Sequence, residues 1–73
     1  MHVTTQEFLE FIADIMRITK DQISLNTEYG SIGKWDSLMH LRLVAEIEEK
    51  YRVSIPIDEV PTIKSLDDFY RYL

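Results

Sequence analysis

The chain of 73 residues contains no cysteine, and it has only two glycines, two prolines and one tryptophan. Without cysteine there can be no disulfide bond or thiolate metal site, so any thiol chemistry must come from an attached group. The low glycine and proline content excludes collagen-like and low-complexity sequence. The chain does not open with a basic segment followed by an apolar run, and no stretch approaches the length of a membrane span. We therefore expect a cytoplasmic protein that does not bind membranes.

Positive charge is also scarce, with eight Lys and Arg against thirteen Asp and Glu and a net charge of −5. Such a balance repels phosphate backbones, so nucleic acid is a poor candidate partner. The basic residues do not gather on one predicted helix, which argues against a helix-turn-helix DNA binder. The length allows one domain, residues 1–73.

The first and last of three helical segments have clear start signals. Residues 5–18 follow Thr4 and Glu7, which have capping-box spacing, and carry apolar side chains at steps of three and four. Ser65 is placed to cap the last helix. The inward face of that helix is predicted to contain Leu66, Phe69, Tyr70 and Leu73.

The second helix is predicted over residues 37–51, with Asp36 as its N-cap. Its apolar arc is broad, as expected for a central helix that touches two neighbours. On the polar side Glu46 is spaced to pair with Lys50. Met39 projects onto the same polar strip, which makes it a candidate for partner contact.

The connections complete an all-α design. Residues 19–35 lose the helical pattern and form a long loop. Residues 53–57 could be read as a short strand, but Pro56 and the lack of a second strand argue against it. Residues 58–60 allow one helical turn before Pro61 interrupts it. The sequence predicts a four-helix bundle with three main helices and one short one.

Histidine chemistry is not indicated by the sequence. His2 and His40 are the only histidines, and neither has a carboxylate cluster nearby. They make neither a metal site nor a hydrolytic triad, so no catalytic residue and no metal are expected. His40 is predicted to be a helix-surface or rim residue.

Ser37 is the residue whose chemistry is most suggestive. A serine in the first helical turn lies beside backbone N–H groups without intrahelical partners. A phosphodiester on its oxygen would be close to the positive end of the helix. The neighbouring Asp36 could help to hold a divalent cation during phosphoryl transfer. Taken alone, however, the pair is more often an ordinary helix cap.

Three correctly ordered blocks resemble the acyl carrier protein family over nearly the whole chain. Asp36, Ser37 and Leu38 match the family's motif at the start of its second helix. Residues 44–51 resemble the aliphatic-acidic-aromatic end of that helix, and residues 55–56 with the following acidic pair resemble the entry to the short third helix. The resemblance implies that Ser37 receives a 4′-phosphopantetheine arm from coenzyme A, with Asp36 supporting the transfer.

The resemblance also implies a carrier rather than an enzyme. The arm would hold an acyl or aminoacyl group as a thioester. The partners would be a phosphopantetheinyl transferase, a loading enzyme and a downstream acyltransferase or synthase. Leu41 and Ile63 would lie near a cargo cleft, although both also fit a plain core. The positions expected at the partner interface are Trp35, Leu38, Met39, Arg42 and Glu46.

Some residues depart from the pattern of carriers in fatty-acid synthesis. Met39, His40 and Arg42 replace acidic or small polar residues after the motif, and Lys34-Trp35 replaces small or aliphatic ones before it. Trp35 could pin the loop to the core or serve as an exposed anchor. These departures favour a stand-alone carrier of one pathway, such as polyketide, modified amino acid or surface-glycan acylation. The competing hypothesis is a small helical interaction module in which Ser37 is only a cap.

Overall fold

The structure, a computed structural model, describes residues 2–73 and is built on three α-helices. α1 spans Thr5–Met16, α2 spans Ser37–Tyr51 and α3 spans Leu66–Tyr70. Short 3₁₀ turns occur at Lys20–Gln22 and Val60–Thr62. Over the described range no strand forms, and no helix there is both long and apolar enough to cross a membrane. The all-α prediction is confirmed, with the turn at residues 60–62 as the short helical element.

Each α-helix begins at the capping residue that the sequence predicts. A side-chain oxygen of the capping residue accepts a hydrogen bond from a backbone N–H of the first turn, which would otherwise have no partner. The three bonds run from Glu7 N to Thr4 Oγ1 (3.1 Å), from Met39 N to Asp36 Oδ1 (2.9 Å) and from Asp68 N to Ser65 Oγ (3.3 Å).

The end of α1 differs from the prediction. The helix stops at Met16, two residues before the predicted end, because Arg17 takes a left-handed conformation with φ of 59°. Ile18 still packs against the core although the backbone has turned, so the apolar pattern continues beyond the helix. α2 ends close to the predicted position, with Arg52 in the same left-handed conformation at φ of 57°.

The core lies between the three α-helices and also takes in buried side chains from the connecting segments, Trp35 among them. Within residues 2–73 no buried polar side-chain atom is left without a hydrogen-bond partner. Near the two ends of the described chain, Tyr70 donates a hydrogen bond to the carbonyl of Val3 and packs on Phe8 at 5.3 Å between ring centroids. The largest fully buried side chains are Trp35, Phe8, Phe69, Ile12, Met16, Leu43, Ile47 and Leu66.

The long loop before α2 is held in place by backbone hydrogen bonds to the start of α3. Glu28 and Ser65 form an isolated antiparallel bridge there. This pairing satisfies loop amides and carbonyls that would otherwise need water. It fixes the path by which the chain reaches Ser37. The bonds run from Tyr29 N to Lys64 O (2.8 Å), from Leu66 N to Thr27 O (3.1 Å) and from Asp67 N to Leu25 O (2.9 Å).

The connection after α2 is anchored by Glu48, a half-buried residue of that helix. Its carboxylate accepts a hydrogen bond from the Ile55 backbone N–H at 2.8 Å. Further along, Pro61 does not interrupt the short turn as predicted but lies inside it, within Val60–Thr62. The missing N–H of proline does no harm at the start of a helical turn, because that N–H has no partner there.

Candidate functional site

Ser37 is the first residue of α2, and its side chain is exposed. The cap of this helix is supplied by Asp36, so the Ser37 hydroxyl is not needed to start it. The hydroxyl lies in the first turn, where backbone N–H groups lack intrahelical partners and the helix dipole is positive. Its position therefore suits an attached phosphate group on physical grounds.

Ser37 also borders a groove of about 1050 Å³, which we call the apolar groove. The groove runs between α2 and the segments that precede and follow the Val60–Thr62 turn. Most of its wall is aliphatic, and polar groups are a minority. It is lined by Glu28, Tyr29, Ser37, His40, Leu41, Val44, Glu48, Ile55, Ile57, Val60, Pro61, Ile63 and Lys64.

Three aliphatic side chains near this groove are unusually exposed. Ile57 is 88% exposed and Leu41 60% exposed, and both line the groove. Leu38, next to Ser37, is 77% exposed. Leu41 is therefore not a plain core residue, whereas Ile63 is buried and also forms part of the groove wall. Apolar surface at these positions is available to a ligand or a partner.

The residues predicted for a partner interface do not all lie at the surface. Arg42 and Glu46 lie on an exposed side of α2 and pair with each other at 3.5 Å. The predicted pair of Glu46 with Lys50 is wrong, because the Lys50 ammonium lies over the Phe11 ring, 5.4 Å from its centroid. Met39 is half-buried and packs against the core, so it presents less surface than its place on the polar strip predicts.

Trp35 and His40 are the two residues that the sequence misplaces. Trp35 has no exposed surface, so the exposed-anchor alternative, and with it a direct partner contact, is wrong. His40 is only 8% exposed, not a surface or rim residue. The Trp35 Nε1–H donates to His40 Nδ1 at 3.0 Å, and His40 Nε2 lies 2.9 Å from the Val60 carbonyl oxygen. Trp35 and His40 therefore satisfy each other's hydrogen-bonding nitrogen, and the Val60 carbonyl pairs with the second imidazole nitrogen. The imidazole can be buried because neither of its nitrogens is left unpaired.

Metal-binding potential is small in the part of the chain that the structure describes. No group of three His, Asp or Glu side chains there could hold a metal ion. Asp36 uses Oδ1 for the helix cap while its side chain stays exposed, so its second oxygen can still face an incoming cation. This geometry fits a supporting role in phosphoryl transfer rather than a resident metal site.

Two tyrosines away from the groove have shifted titration. Burial, and then the negative charge of Glu7, raises the pKa of Tyr51. The pKa of Tyr72 is raised first by its hydrogen bond to Glu59, and then by burial and by the nearby carboxylates. In both cases the surroundings favour the neutral phenol over the phenolate.

A family model described as "Phosphopantetheine attachment site" matches residues 6–73. The chain is 31% identical over 68 residues to the acyl carrier protein of Rickettsia massiliae, covering 93% of this chain and 79% of that protein. The chain belongs to the acyl carrier protein family. The acyl carrier protein of Lactobacillus acidophilus is similarly related, with 30% identity over 64 residues, 88% of this chain and 80% of that protein.

A much longer relative matches in one short segment. It is the 3-methylorcinaldehyde synthase tropA of Talaromyces stipitatus, 32% identical over 60 residues. The match covers 82% of this chain but 2% of that protein.

Membership in the family establishes the type of protein. Acyl carrier proteins bear covalent 4′-phosphopantetheine and are carriers, not enzymes. When bound, this group supplies a terminal thiol that holds cargo as a thioester. The residues present fit it, because an exposed serine hydroxyl at a positive helix end borders an apolar groove. The prediction of a carrier with this cofactor is confirmed.

Proposed function

We propose that Ser37 is the attachment residue and that this acyl carrier protein holds an acyl group whose chain lies in the apolar groove. The observation that carries the proposal is the position of Ser37, exposed at the start of α2 and on the edge of the groove. The aliphatic wall favours an acyl chain over a polar aminoacyl group, because burial of apolar surface is favourable and burial of an unpaired charge is not.

Ser37 and Asp36 have different roles in the proposed attachment. The Ser37 oxygen forms a new bond to the phosphorus that carries the pantetheine arm, and the P–O bond of the coenzyme A pyrophosphate breaks. The nucleotide part of coenzyme A leaves with the second phosphate, and the hydroxyl proton passes to the phosphopantetheinyl transferase. Asp36 supports the transfer by offering its free carboxylate oxygen to the cation that accompanies coenzyme A. Backbone N–H groups of the first turn of α2 lie near the phosphate in the product.

The proposed docking surface is the exposed side of α2 next to Ser37. Leu38 contributes an exposed aliphatic anchor, and the Arg42–Glu46 pair contributes a polar rim. Interfaces commonly combine an apolar centre with a polar surround. We expect a loading enzyme and a downstream acyltransferase or synthase to use this surface in turn. The carrier would act as a cytoplasmic monomer, for which the net charge of −5 favours solubility.

The departures around the motif support a carrier that serves one pathway. Arg42 adds a positive charge where the fatty-acid pattern has acidic or small polar residues, although Glu46 pairs with it. The similarity to a short segment of 3-methylorcinaldehyde synthase is compatible with a synthase as the downstream partner.

Intact-mass spectrometry tests the attachment residue. Incubation with coenzyme A and a broad-specificity phosphopantetheinyl transferase should add the mass of one arm to the wild type and none to Ser37→Ala. Ser54→Ala, which removes another exposed serine, is the matched control and should be modified fully. Because Asp36 supplies the cap, Ser37→Ala should change the free energy of unfolding by no more than about 0.5 kcal/mol.

Other outcomes would contradict the proposal. If several transferases add no mass to the wild type, Ser37 is not an attachment residue. That result would favour the alternative hypothesis of a small helical interaction module. If Ser37→Ala unfolds the protein, the serine is mainly structural.

A further inference from the structure

Two linked hydrogen bonds, one buried and one part-buried, lie beside Ser37. They begin at the Trp35 indole, pass through the His40 imidazole and end at the Val60 carbonyl. Trp35 closes the loop before Ser37, His40 lies one turn into α2, and Val60 opens the 3₁₀ turn on the other side of the groove. His40 and Val60 both line the apolar groove. These two hydrogen bonds therefore connect two walls of the groove with the loop that leads to Ser37.

The two hydrogen-bond partners of His40 determine which nitrogen of the imidazole carries the proton. The indole Nε1–H can only donate, so His40 Nδ1 must accept. The ring proton of neutral His40 is therefore on Nε2, where it donates to the Val60 carbonyl. A side chain at position 40 must accept at one end and donate at the other to keep both bonds.

Aromatic neighbours keep the His40 ring in place. The Trp35 ring lies beside it and nearly parallel to it, with 5.9 Å between ring centroids and 17° between ring planes. Tyr29 meets it at 5.3 Å in an edge-on arrangement, and Phe69 lies at 5.4 Å. A ring packed on several sides holds its orientation, so the Nε2–H points steadily at Val60.

The Val60 carbonyl has a second donor of its own. The Ile63 N–H donates to it at 3.3 Å within the 3₁₀ turn. Loss of the His40 bond therefore leaves the carbonyl with one partner, and the turn can keep its local shape. What it loses is the polar tie to α2, so the turn opens away from α2 more often and the Ile63 N–H is exposed to solvent more often.

We propose that His40 is a positioning residue that sets the separation between α2 and the Val60–Thr62 turn, and thereby how tightly the groove closes on its cargo. Trp35 keeps His40 in the tautomer that can do this. The inference rests on the proposed function, since it takes the groove as the cargo site. In this role His40 limits the access of water to the thioester and takes no part in forming it.

The first test uses the protein without its arm. His40→Gln can accept from Trp35 through its amide oxygen and donate to Val60 through its amide nitrogen, whereas His40→Leu can do neither. The single tryptophan gives one indole N–H resonance, which reports the Trp35 bond directly. In His40→Leu we expect this proton to shift upfield. Hydrogen exchange of the Ile63 amide should become about two- to tenfold faster, as for the loss of one hydrogen bond. His40→Gln should stay close to the wild type in both measurements.

The second test uses protein loaded with an octanoyl or an acetyl thioester on the arm. In hydrolysis, water adds to the carbonyl carbon, the C–S bond breaks, and the carboxylic acid and the arm thiol are released. His40→Leu should release the octanoyl group about three- to tenfold faster than the wild type, because the closed groove loses the stabilisation of one hydrogen bond. The rate for the acetyl group should be unchanged, because it is too short to use the groove. His40→Gln should restore slow release.

Ile12→Val is the control for general destabilisation. Ile12 is fully buried on α1 and does not line the groove, and its shortening costs about 0.5–1.5 kcal/mol, that is, about two- to tenfold in the folding equilibrium. It should leave octanoyl release at the wild-type rate. The inference is overturned if Ile12→Val speeds release as much as His40→Leu, or if Ile63 exchange is the same in His40→Leu and the wild type. The exchange result does not depend on modification of Ser37, so failure of the proposed function would be seen separately, as a missing mass gain.

Discussion

Asp36 combines two properties at the residue scale that substitution can separate. One oxygen of its carboxylate caps α2 through the Met39 N–H at 2.9 Å, and its negative charge lies next to Ser37. Asparagine caps helices about as well as aspartate but carries no charge, whereas alanine does neither. The chain therefore offers a direct comparison between the structural and the chemical role of this residue.

We expect Asp36→Asn to fold as stably as the wild type but to be modified more slowly. If the carboxylate helps to hold the cation, its loss should lower the initial rate of arm transfer by about 10- to 100-fold. Asp36→Ala should show the same slow transfer and also lose about 1 kcal/mol of unfolding free energy with the cap. Transfer rates come from timed mass spectra and stabilities from urea unfolding. Wild-type transfer in Asp36→Asn would show that Asp36 is only a cap.

At the scale of elements, α1 and α2 both end at an arginine whose backbone is strained. Arg17 and Arg52 have φ of 59° and 57°, a left-handed conformation that favours glycine over residues with a Cβ atom. Neither arginine gives a sequence signal for a helix end. The starts of the helices are predictable because a cap acts on an N–H three residues away. The predicted end of α1 is two residues too late, because the end depends on a backbone conformation that arginine seldom adopts.

Replacement of these arginines by glycine should stabilise the protein. Each of Arg17→Gly and Arg52→Gly is expected to raise the free energy of unfolding by about 0.5–1 kcal/mol, since relief of the left-handed strain outweighs the extra freedom of glycine in the unfolded chain. Arg17→Ala and Arg52→Ala are the matched controls, because they remove the same side chain but keep the strain. Thermal or urea unfolding gives the ranking. A glycine variant less stable than its alanine counterpart would refute the strain argument.

At the scale of the whole molecule, the sequence predicts local features better than contacts between segments. The caps at Thr4, Asp36 and Ser65 follow from short-range spacing. Burial of His40 does not, because it depends on Trp35 and Val60 arriving from two different connections. The choice of Arg42 over Lys50 as the partner of Glu46 is similar, since Lys50 is drawn to the Phe11 ring of another helix.

Ser37, the proposed attachment residue, stands out only when the order of several blocks is taken together. The apolar groove beside it could not be predicted from spacing, because its far wall comes from residues 55–64, whose path depends on the Glu48 bond to Ile55. A tryptophan just before the cap with a histidine five residues later is the one signal that could have revealed the buried pair.

The global stability should fall at alkaline pH. The pKa values of Tyr51 and Tyr72 are raised in the folded protein, so the native state holds these protons more firmly than the unfolded chain. The stabilisation is fully present below the ordinary tyrosine pKa of about 10 and is lost as the pH rises through the higher folded values. We expect the unfolding free energy of a Tyr51→Phe, Tyr72→Phe double variant to decline less steeply between about pH 9 and 11. Urea unfolding across that range measures it, and parallel curves for the two proteins would contradict the assignment.

The contact between Tyr70 and Val3 bears on how this domain can be joined to others. Residues 67 positions apart in sequence meet through one hydrogen bond, so the chain enters and leaves the bundle at neighbouring points. Ser37 and the apolar groove are formed by other segments. A domain with this layout can be inserted into a longer polypeptide as a side loop, with both junctions on one side and without rearrangement of Ser37.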